Sequence, residues 1–412
     1  MSLLKFDIFS KRTRFRVVYL LWKIKSLFKG IFVYQSALRK LEILSAGIFP
    51  RVRKNTLEAV HLSTLDSIFS YGQSELAQEY SVLKKVQVNG EHYFSEMNLL
   101  ILLKQRINGS DTMIENEFAY NLSKSLEEIN INSEVYWPLP MFEAKHFETS
   151  QFVLKNSIQL LEEKIRTMCP SHLILDSNQF TRDPLLTEQA LFQLKQHYRF
   201  KVILFMLDYN DAKLEYWGKR LADIIVYCRP DKRSKVESLS TAKLICWPGS
   251  PYPEYSKFTS ERSIDFFYSG SDTRNRRDFL SILEKVEMNA KVNFGNRERT
   301  KSYTYLTYLH ELGNAKMTFS NGYISRREDL ITGRALEAFS TKTLLLYEES
   351  KTMNYFFKPY IHFVPVKTSN DLLAQVLYLL GKEDMRLNIA SQAHDFYRSQ
   401  YSNLEFWHQV LN

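Results

Sequence analysis

Three arginines crowd one short stretch of this chain. Arg274, Arg276 and Arg277 follow the small polar run Ser269-Gly270-Ser271-Asp272 and precede a helical pattern over residues 278–286. Guanidinium forks match phosphate oxygens, and a helix start adds free N–H groups and a partial positive charge. The same letters also describe an ordinary surface cluster, so the elements around them must decide. A second polar group lies in residues 316–348. There a β-type run over 317–320 stops at the turn pair Asn321-Gly322 and a polar loop carries Tyr323. A helix signal over 329–339 follows, with Thr332 at the N-cap, and an apolar run over 343–347 closes the unit. Strand, loop, helix and strand in about thirty residues read as a βαβ crossover with parallel strands. Ligands of such sheets sit beyond the carboxyl ends of the strands, where the 321–328 loop would lie. Elsewhere Asp111 closes an Asn108-Gly109-Ser110 turn, and Asp208 opens an Asp-x-x-Asp run ending at Asp211. Either aspartate is a candidate general base, or a turn residue. The Asp208–Asp211 run is not assigned as a metal site.

The elements that position these residues alternate. Apolar runs at 98–103, 133–137, 172–175, 201–207 and 224–228 are separated by helical patterns at 115–129, 152–167, 185–198 and 212–220. A second series follows, with strands at 264–268, 291–294, 317–320 and 343–347 and helices at 278–286, 303–312, 329–339, 372–380 and 385–397. Such alternation predicts α/β domains with mostly parallel sheets. Between the series, residues 248–253 (P-G-S-P-Y-P) hold three prolines and mark a domain boundary. The organisation expected is a basic arm (1–54), a connecting region (55–97), a first Rossmann-like domain (98–255), a second (256–397) and a last helix (398–412) returning to the first. In the connecting region residues 57–68 read as helical, and 84–94 as a hairpin around Asn89-Gly90.

At 412 residues the chain is too long for one ordinary core. Its net charge of +9 is unevenly spread. Residues 1–54 hold 13 Lys/Arg against Asp7 and Glu42, leaving 42 basic and 44 acidic groups for the rest. Within the arm, Val17, Leu20, Leu21, Ile24, Leu27, Phe28 and Ile31 recur at helical spacing, with Arg16, Lys23 and Ser26 opposite. A basic amphipathic helix of this kind lies in the headgroup layer of an anionic membrane, through residues 1–33, or packs on its own domain with a solvated basic face. Its longest apolar run, residues 17–22, is too short to span a bilayer. No reader motif accompanies the charge, so nucleic acid is not expected. Cys169, Cys228 and Cys246 are few, odd in number and far apart. They read as packed thiols of a reducing compartment, which points to the cytoplasm.

The second series resembles the donor-binding half of a GT-B glycosyltransferase, in the broad family-1/family-4-like group that includes CgeB-type proteins. The resemblance rests on F-F-Y-S-G-S-D-T-R-N-R-R-D-F-L (266–280), Y-L-H-E-L-G-N-A-K-M-T-F-S-N (308–321), D-L-I-T-G-R-A-L-E-A-F (329–339), T-L-L-L-Y-E (343–348) and residues 376–393. It covers residues 98–412 and is strongest over 264–397. Asp329 and Glu337 are separated by seven residues, similar to the acidic-x7-Glu signature of that group. There the second acid reaches the nucleotide ribose and the first lies near the sugar or diphosphate. The resemblance implies two Rossmann-like domains facing a cleft, and transfer of a sugar from a nucleoside-diphosphate sugar. The basic arm favours a cell-envelope or lipid-linked glycan as acceptor, at the inner face of the cytoplasmic membrane. The implied donor site is Gly270, Arg274, Arg276, Arg277, Asn321, Tyr323, Arg334 and Glu337, with Asp329, Asp111 and Asp208 as catalytic candidates. The nucleotide sugar is a co-substrate, and neither a cofactor nor a metal is required. Two departures stand out: Lys342 replaces the usual Gly after the helix, and the first acid is Asp. Two other readings stay open: a GT-B epimerase or hydrolase, which would share the nucleotide site, and a non-catalytic membrane-associated binding protein, which would use the basic arm and have lost transfer.

Overall fold

The computed structural model describes Phe69 and, with gaps, residues 97–412; the gaps are 104–105, 109–112, 116, 139–149, 178–186, 208–213, 250, 252–260, 271–272, 295–304 and 326–327. All of these belong to one compact unit, residues 69–412. The basic arm, the 57–68 helix and the 84–94 hairpin lie outside the described residues.

The first half runs β1 (Asn98–Leu102), β2 (Arg106–Asn108), β3 (Met113–Glu115), α1 (Glu117–Glu128), β4 (Asn132–Tyr136), α2 (Ser150–Met168), β5 (His172–Asp176), α3 (Glu188–Tyr198), β6 (Lys201–Met206), β7 (Ile224–Tyr227), α4 (Arg233–Leu239) and β8 (Lys243–Cys246). Its sheet has the order β4-β1-β5-β6-β7-β8, and every pair is parallel. The central strands β1, β5, β6 and β7 are mostly apolar runs because both faces are covered. Leu100, Leu102, Leu173, Leu175, Val202 and Leu204 enter one core cluster. Their neighbours Leu99, Ile101, Ile174, Ile203 and Phe205 enter the other. This is the period of two that a strand imposes.

The second half runs β9 (Ile264–Gly270), α5 (Arg274–Leu280), β10 (Ala290–Phe294), α6 (Tyr305–Gly313), β11 (Ala315–Ser320), β12 (Tyr323–Ser325), β13 (Glu328–Asp329), α7 (Gly333–Ser340), β14 (Leu344–Glu348), α8 (Lys351–Phe356), β15 (Val364–Val366), α9 (Ser369–Leu380), α10 (Glu383–Gln400) and α11 (Asn403–Leu411). Its sheet is again parallel, in the order β10-β9-β11-β14-β15. The order reverses between β9 and β11, which is where a doubly wound sheet opens a crevice at its carboxyl edge. Two α/β halves of Rossmann type are thus present.

The chain crosses between halves twice. After β8, Gly249 lies against α7: a Cβ there would sit 2.9 Å from Leu336 Cδ1. At the end of α10, Tyr401 meets Trp247 edge-on, with ring centroids 5.1 Å apart. Beyond Tyr401, α11 covers the first sheet with Phe406, Trp407, Val410 and Leu411. The Trp407 indole N–H donates to Ser125 Oγ of α1 at 2.9 Å.

Several elements differ from the sequence expectation. Residues 106–108 of the loop expected over 106–112 form β2, which pairs antiparallel with β3. The helix expected over 212–220 is a single wide turn, Leu214–Gly218. Helix α5 starts at Arg274, four residues early, and tightens into a 3-10 turn at Ser281–Lys285. Helix α7 begins at Gly333 rather than 329, because Asp329 pairs with Tyr323 in a short antiparallel ribbon. Cys228 is buried and Cys246 half-buried, whereas Cys169 is exposed at the end of α2.

Helix α7 ends in a Schellman motif: the Lys342 N–H bonds the Phe339 carbonyl and the Thr343 N–H bonds the Ala338 carbonyl. The motif requires a left-handed residue, and Lys342 takes it with φ of 52°. A non-glycine side chain there is strained. Lys342→Gly is therefore expected to stabilise the fold by about 0.5–1 kcal/mol, after the added freedom of the unfolded chain is counted. The check is the urea midpoint, which should rise at unchanged m-value.

Candidate active site

The carboxyl ends of β9, β11 and β14 stand side by side, and each delivers a polar group. At the end of β9, Gly270 faces the Arg334 side chain of α7. A Cβ on Gly270 would lie 2.3 Å from an Arg334 guanidinium nitrogen and 2.9 Å from the Tyr268 hydroxyl. Arg334 donates to the Ser269 carbonyl. Its guanidinium also stacks over the Tyr268 ring, 4.5 Å from the centroid. The Nε of Arg334 and the hydroxyl of Tyr268 are buried without a hydrogen-bond partner among the described residues.

Arg276 reaches the same place from α5. Its Nε donates to Asn321 Oδ1 at 2.9 Å, at the end of β11. Burial pulls the Arg276 guanidinium below its ordinary pKa, and the Arg334 charge adds to this while the tyrosines oppose it. Two desolvated cations within electrostatic range of each other favour an anion between them. Asn321 is itself buried and faces Glu348, the last residue of β14, with its amide. Burial raises the pKa of Glu348, and the nearby charge of Asp329 raises it further.

The adjacent arginines do not share this position. Arg274 is 94% exposed and lies 3.9 Å from Asp278 on its own helix. Arg277 is exposed and holds its guanidinium over the Phe294 ring, 5.5 Å from the centroid. On a helix, residues 274, 276 and 277 point in different directions, so one turn delivers one of them to the strand ends. Asp329 is engaged in the backbone. Its Oδ1 accepts from Ser350 Oγ at 2.5 Å, and its Oδ2 accepts from the Thr352 N–H at 3.0 Å. It thereby satisfies a donor in the first turn of α8. Glu337 is only 6% exposed and accepts from the Tyr308 hydroxyl at 2.8 Å. Tyr305 reaches it as well, and Tyr305 accepts in turn from Asn121 Nδ2 of α1 at 3.1 Å. The first half thus touches the second through a hydrogen-bonded chain ending on Glu337. Asp111 and Asp208, and the side chain of Tyr323, lie outside the described residues. Glu348 was not singled out by sequence reasoning; its signal was a carboxylate ending an otherwise apolar strand. Among the described residues no group of three or more metal-ligating side chains is present, and no helix is long and apolar enough to cross a membrane.

Residues 274–412 match the family model described as glycosyl transferase-like. Among solved structures, HepE from Anabaena in complex with UDP and glucose is similar at 10% identity, covering 76% of this chain and 98% of that one, with a TM-score of 0.50. A glycosyltransferase from Rickettsia africae ESF-5 is similar at 10% identity, covering 77% and 100%, also with a TM-score of 0.50. No curated protein sequence matches the chain. At that identity the solved structures speak for the fold, and the family match speaks for the second half. Together they give this chain the two-domain GT-B fold, with a second half similar to glycosyl transferases.

Two tests follow from the packing. A Cβ on Gly322 would lie 2.0 Å from the Leu330 carbonyl oxygen, which is backbone and itself accepts from the Tyr347 hydroxyl at 2.9 Å. Gly322→Ala is expected to cost about 1–3 kcal/mol in urea unfolding. The second concerns Glu337, whose pKa burial pushes up to about 7, with the Glu117 charge adding and Tyr308 opposing. A carboxyl raised above its unfolded value of 4.5 binds more protons folded than unfolded between those values. Its contribution to stability is therefore lost as pH rises from 4.5 to about 7. Glu337→Gln can still accept from Tyr308, so variant minus wild-type stability should grow across that window and level off above it. Equal pH profiles would show that Glu337 does not titrate this way.

Proposed function

We propose that the protein transfers a glycosyl group from a nucleoside-diphosphate sugar, with the diphosphate bound between Arg276 and Arg334. The observation that carries this is their convergence at the β9/β11 reversal, beside Gly270. Gly270 lets Arg334 lie close to the strand end. As the bond from sugar to β-phosphate oxygen breaks, negative charge grows on the departing diphosphate. Two preset guanidinium groups stabilise it where it forms. HepE, of the same fold, holds UDP and glucose, so a uridine donor is the first to try. The ribose is assigned to Glu337, with Tyr305 and Tyr308 yielding a hydrogen bond to its hydroxyls. Tyr323 is the candidate to stack on the base or sugar.

The acceptor would enter from the first half. Asp111 and Asp208, which come after β2 and β6 in the chain, are the candidates for its general base. A lipid-linked or cell-envelope glycan suits a chain whose first 54 residues hold 13 basic groups. That arm would hold the enzyme peripherally on an anionic membrane from the cytoplasmic side.

The test is thermal stabilisation by UDP, GDP and ADP and by their glucose or mannose conjugates. A ligand of the folded state at a hundredfold excess over Kd adds about 2.7 kcal/mol. Stabilisation by one base class, unchanged in EDTA, is expected, since the arginines supply the positive charge. Arg276→Gln should lower turnover by roughly 10²-fold and leave the unliganded melting temperature near wild type. If no nucleotide stabilises the folded protein, the reading fails.

A further inference from the structure

Next to the arginine pair lies a carboxylate whose bonding is incomplete. Glu348 ends β14, and its Oε2 is buried without a hydrogen-bond partner among the described residues. A buried acceptor left unpaired is costly, and in native structures such an atom calls for an explanation. The strand order gives one. Residues at the ends of β9, β11 and β14 follow one another along the sheet edge. Arg276 bonds Asn321, and Asn321 faces Glu348. One amide side chain therefore separates the guanidinium assigned to the diphosphate from this carboxylate. In a nucleotide sugar the group bonded to the diphosphate is the sugar.

Asp329, the other carboxylate nearby, is less available for this task. Its Oδ1 is taken by Ser350 and its Oδ2 by the Thr352 N–H. Removing it to bind a ligand would uncap α8.

We propose that Glu348 is a specificity-determining residue, whose Oε2 accepts a hydrogen bond from a hydroxyl of the donor's sugar. This rests on the reading of the site as a nucleotide-sugar site. The burial that raises the Glu348 pKa is consistent with a group that gains from a ligand hydroxyl. Asn321 ties the two functions together: it fixes Arg276 toward the phosphates and orients Glu348 toward the sugar.

The experiment is calorimetric titration of the full chain and of Glu348→Gln with UDP and UDP-glucose, GDP and GDP-mannose, and ADP and ADP-glucose. A hydrogen bond to a charged acceptor corresponds to about tenfold in affinity. Glu348→Gln is expected to keep the affinity of the preferred nucleoside diphosphate within about twofold and to lose about tenfold for its sugar conjugate. Glu348→Asp, which keeps the charge but withdraws the oxygen, should show the same split. Equal losses for diphosphate and conjugate, or no loss for either, would overturn the assignment while leaving the nucleotide site intact. Wild-type protein that binds none of the six ligands would overturn both. Unliganded melting temperatures of the two variants identify any loss of fold: a loss for the conjugate alone, at unchanged melting temperature, supports the role, and a loss tracking reduced stability overturns it.

Discussion

The tie on which the site depends is the Arg334 guanidinium, bonded to the Ser269 carbonyl and stacked on Tyr268. It fastens the start of α7 to the carboxyl end of β9, across the reversal in strand order. One long cation is held by backbone and ring while its Nε stays available. Glycine at 270 is a spatial requirement rather than a conformational one, since no glycine among the described residues has positive φ. Gly322 answers the same need one strand over, where the Leu330 carbonyl passes at a distance no side chain allows. At both positions the missing Cβ lets a neighbouring group, the Arg334 guanidinium or the Leu330 carbonyl, approach the strand end.

That crowding sorts the acidic residues by function. Asp329 spends both oxygens on Ser350 and the start of α8, so it behaves as part of the scaffold. Glu337 is held by tyrosines from α6, and through Tyr305 by Asn121 of the first half. Glu348 alone among the three combines burial with an unused oxygen. Three carboxylates within twenty residues of sequence thus meet three different environments, and environment rather than spacing decides which can act on a ligand.

Much of the fold was legible because parallel strands buried on both faces are unbroken apolar runs. N-L-L-I-L, V-I-L-F-M and L-L-L-Y announce themselves. The elements that escaped lack that signal. β15 is V-P-V, an edge strand that tolerates proline. β8 is four residues, K-L-I-C, just before Trp247-Pro248. Helix α8 is six residues whose cap is completed by a carboxylate twenty-one positions earlier. In the site, sequence pointed to the turn holding three arginines but not to which one faces inward, because that depends on where α5 begins. Lys342 stood out in the sequence as a departure from the usual glycine, and the left-handed backbone is there. The free oxygen of Glu348 depends on what Asn321 and Asp329 do with their own atoms, and no local pattern encodes that.

The two halves are joined by contacts of different kinds, and this bears on how the site works. On one side the join is apolar and aromatic: Trp247, Tyr401, Phe406 and Trp407 pack where the chain crosses, and burial of that size holds without precise geometry. On the other side it is a short polar chain, Asn121 to Tyr305 to Glu337, with Tyr120 edge-on to Tyr305 at 5.8 Å. Hydrogen bonds are directional and their net strength is modest, so this second contact can be exchanged for bonds to a ligand at little cost. An apolar join with a polar contact beside it leaves Glu337 in bonds that can be exchanged without loosening the rest of the molecule.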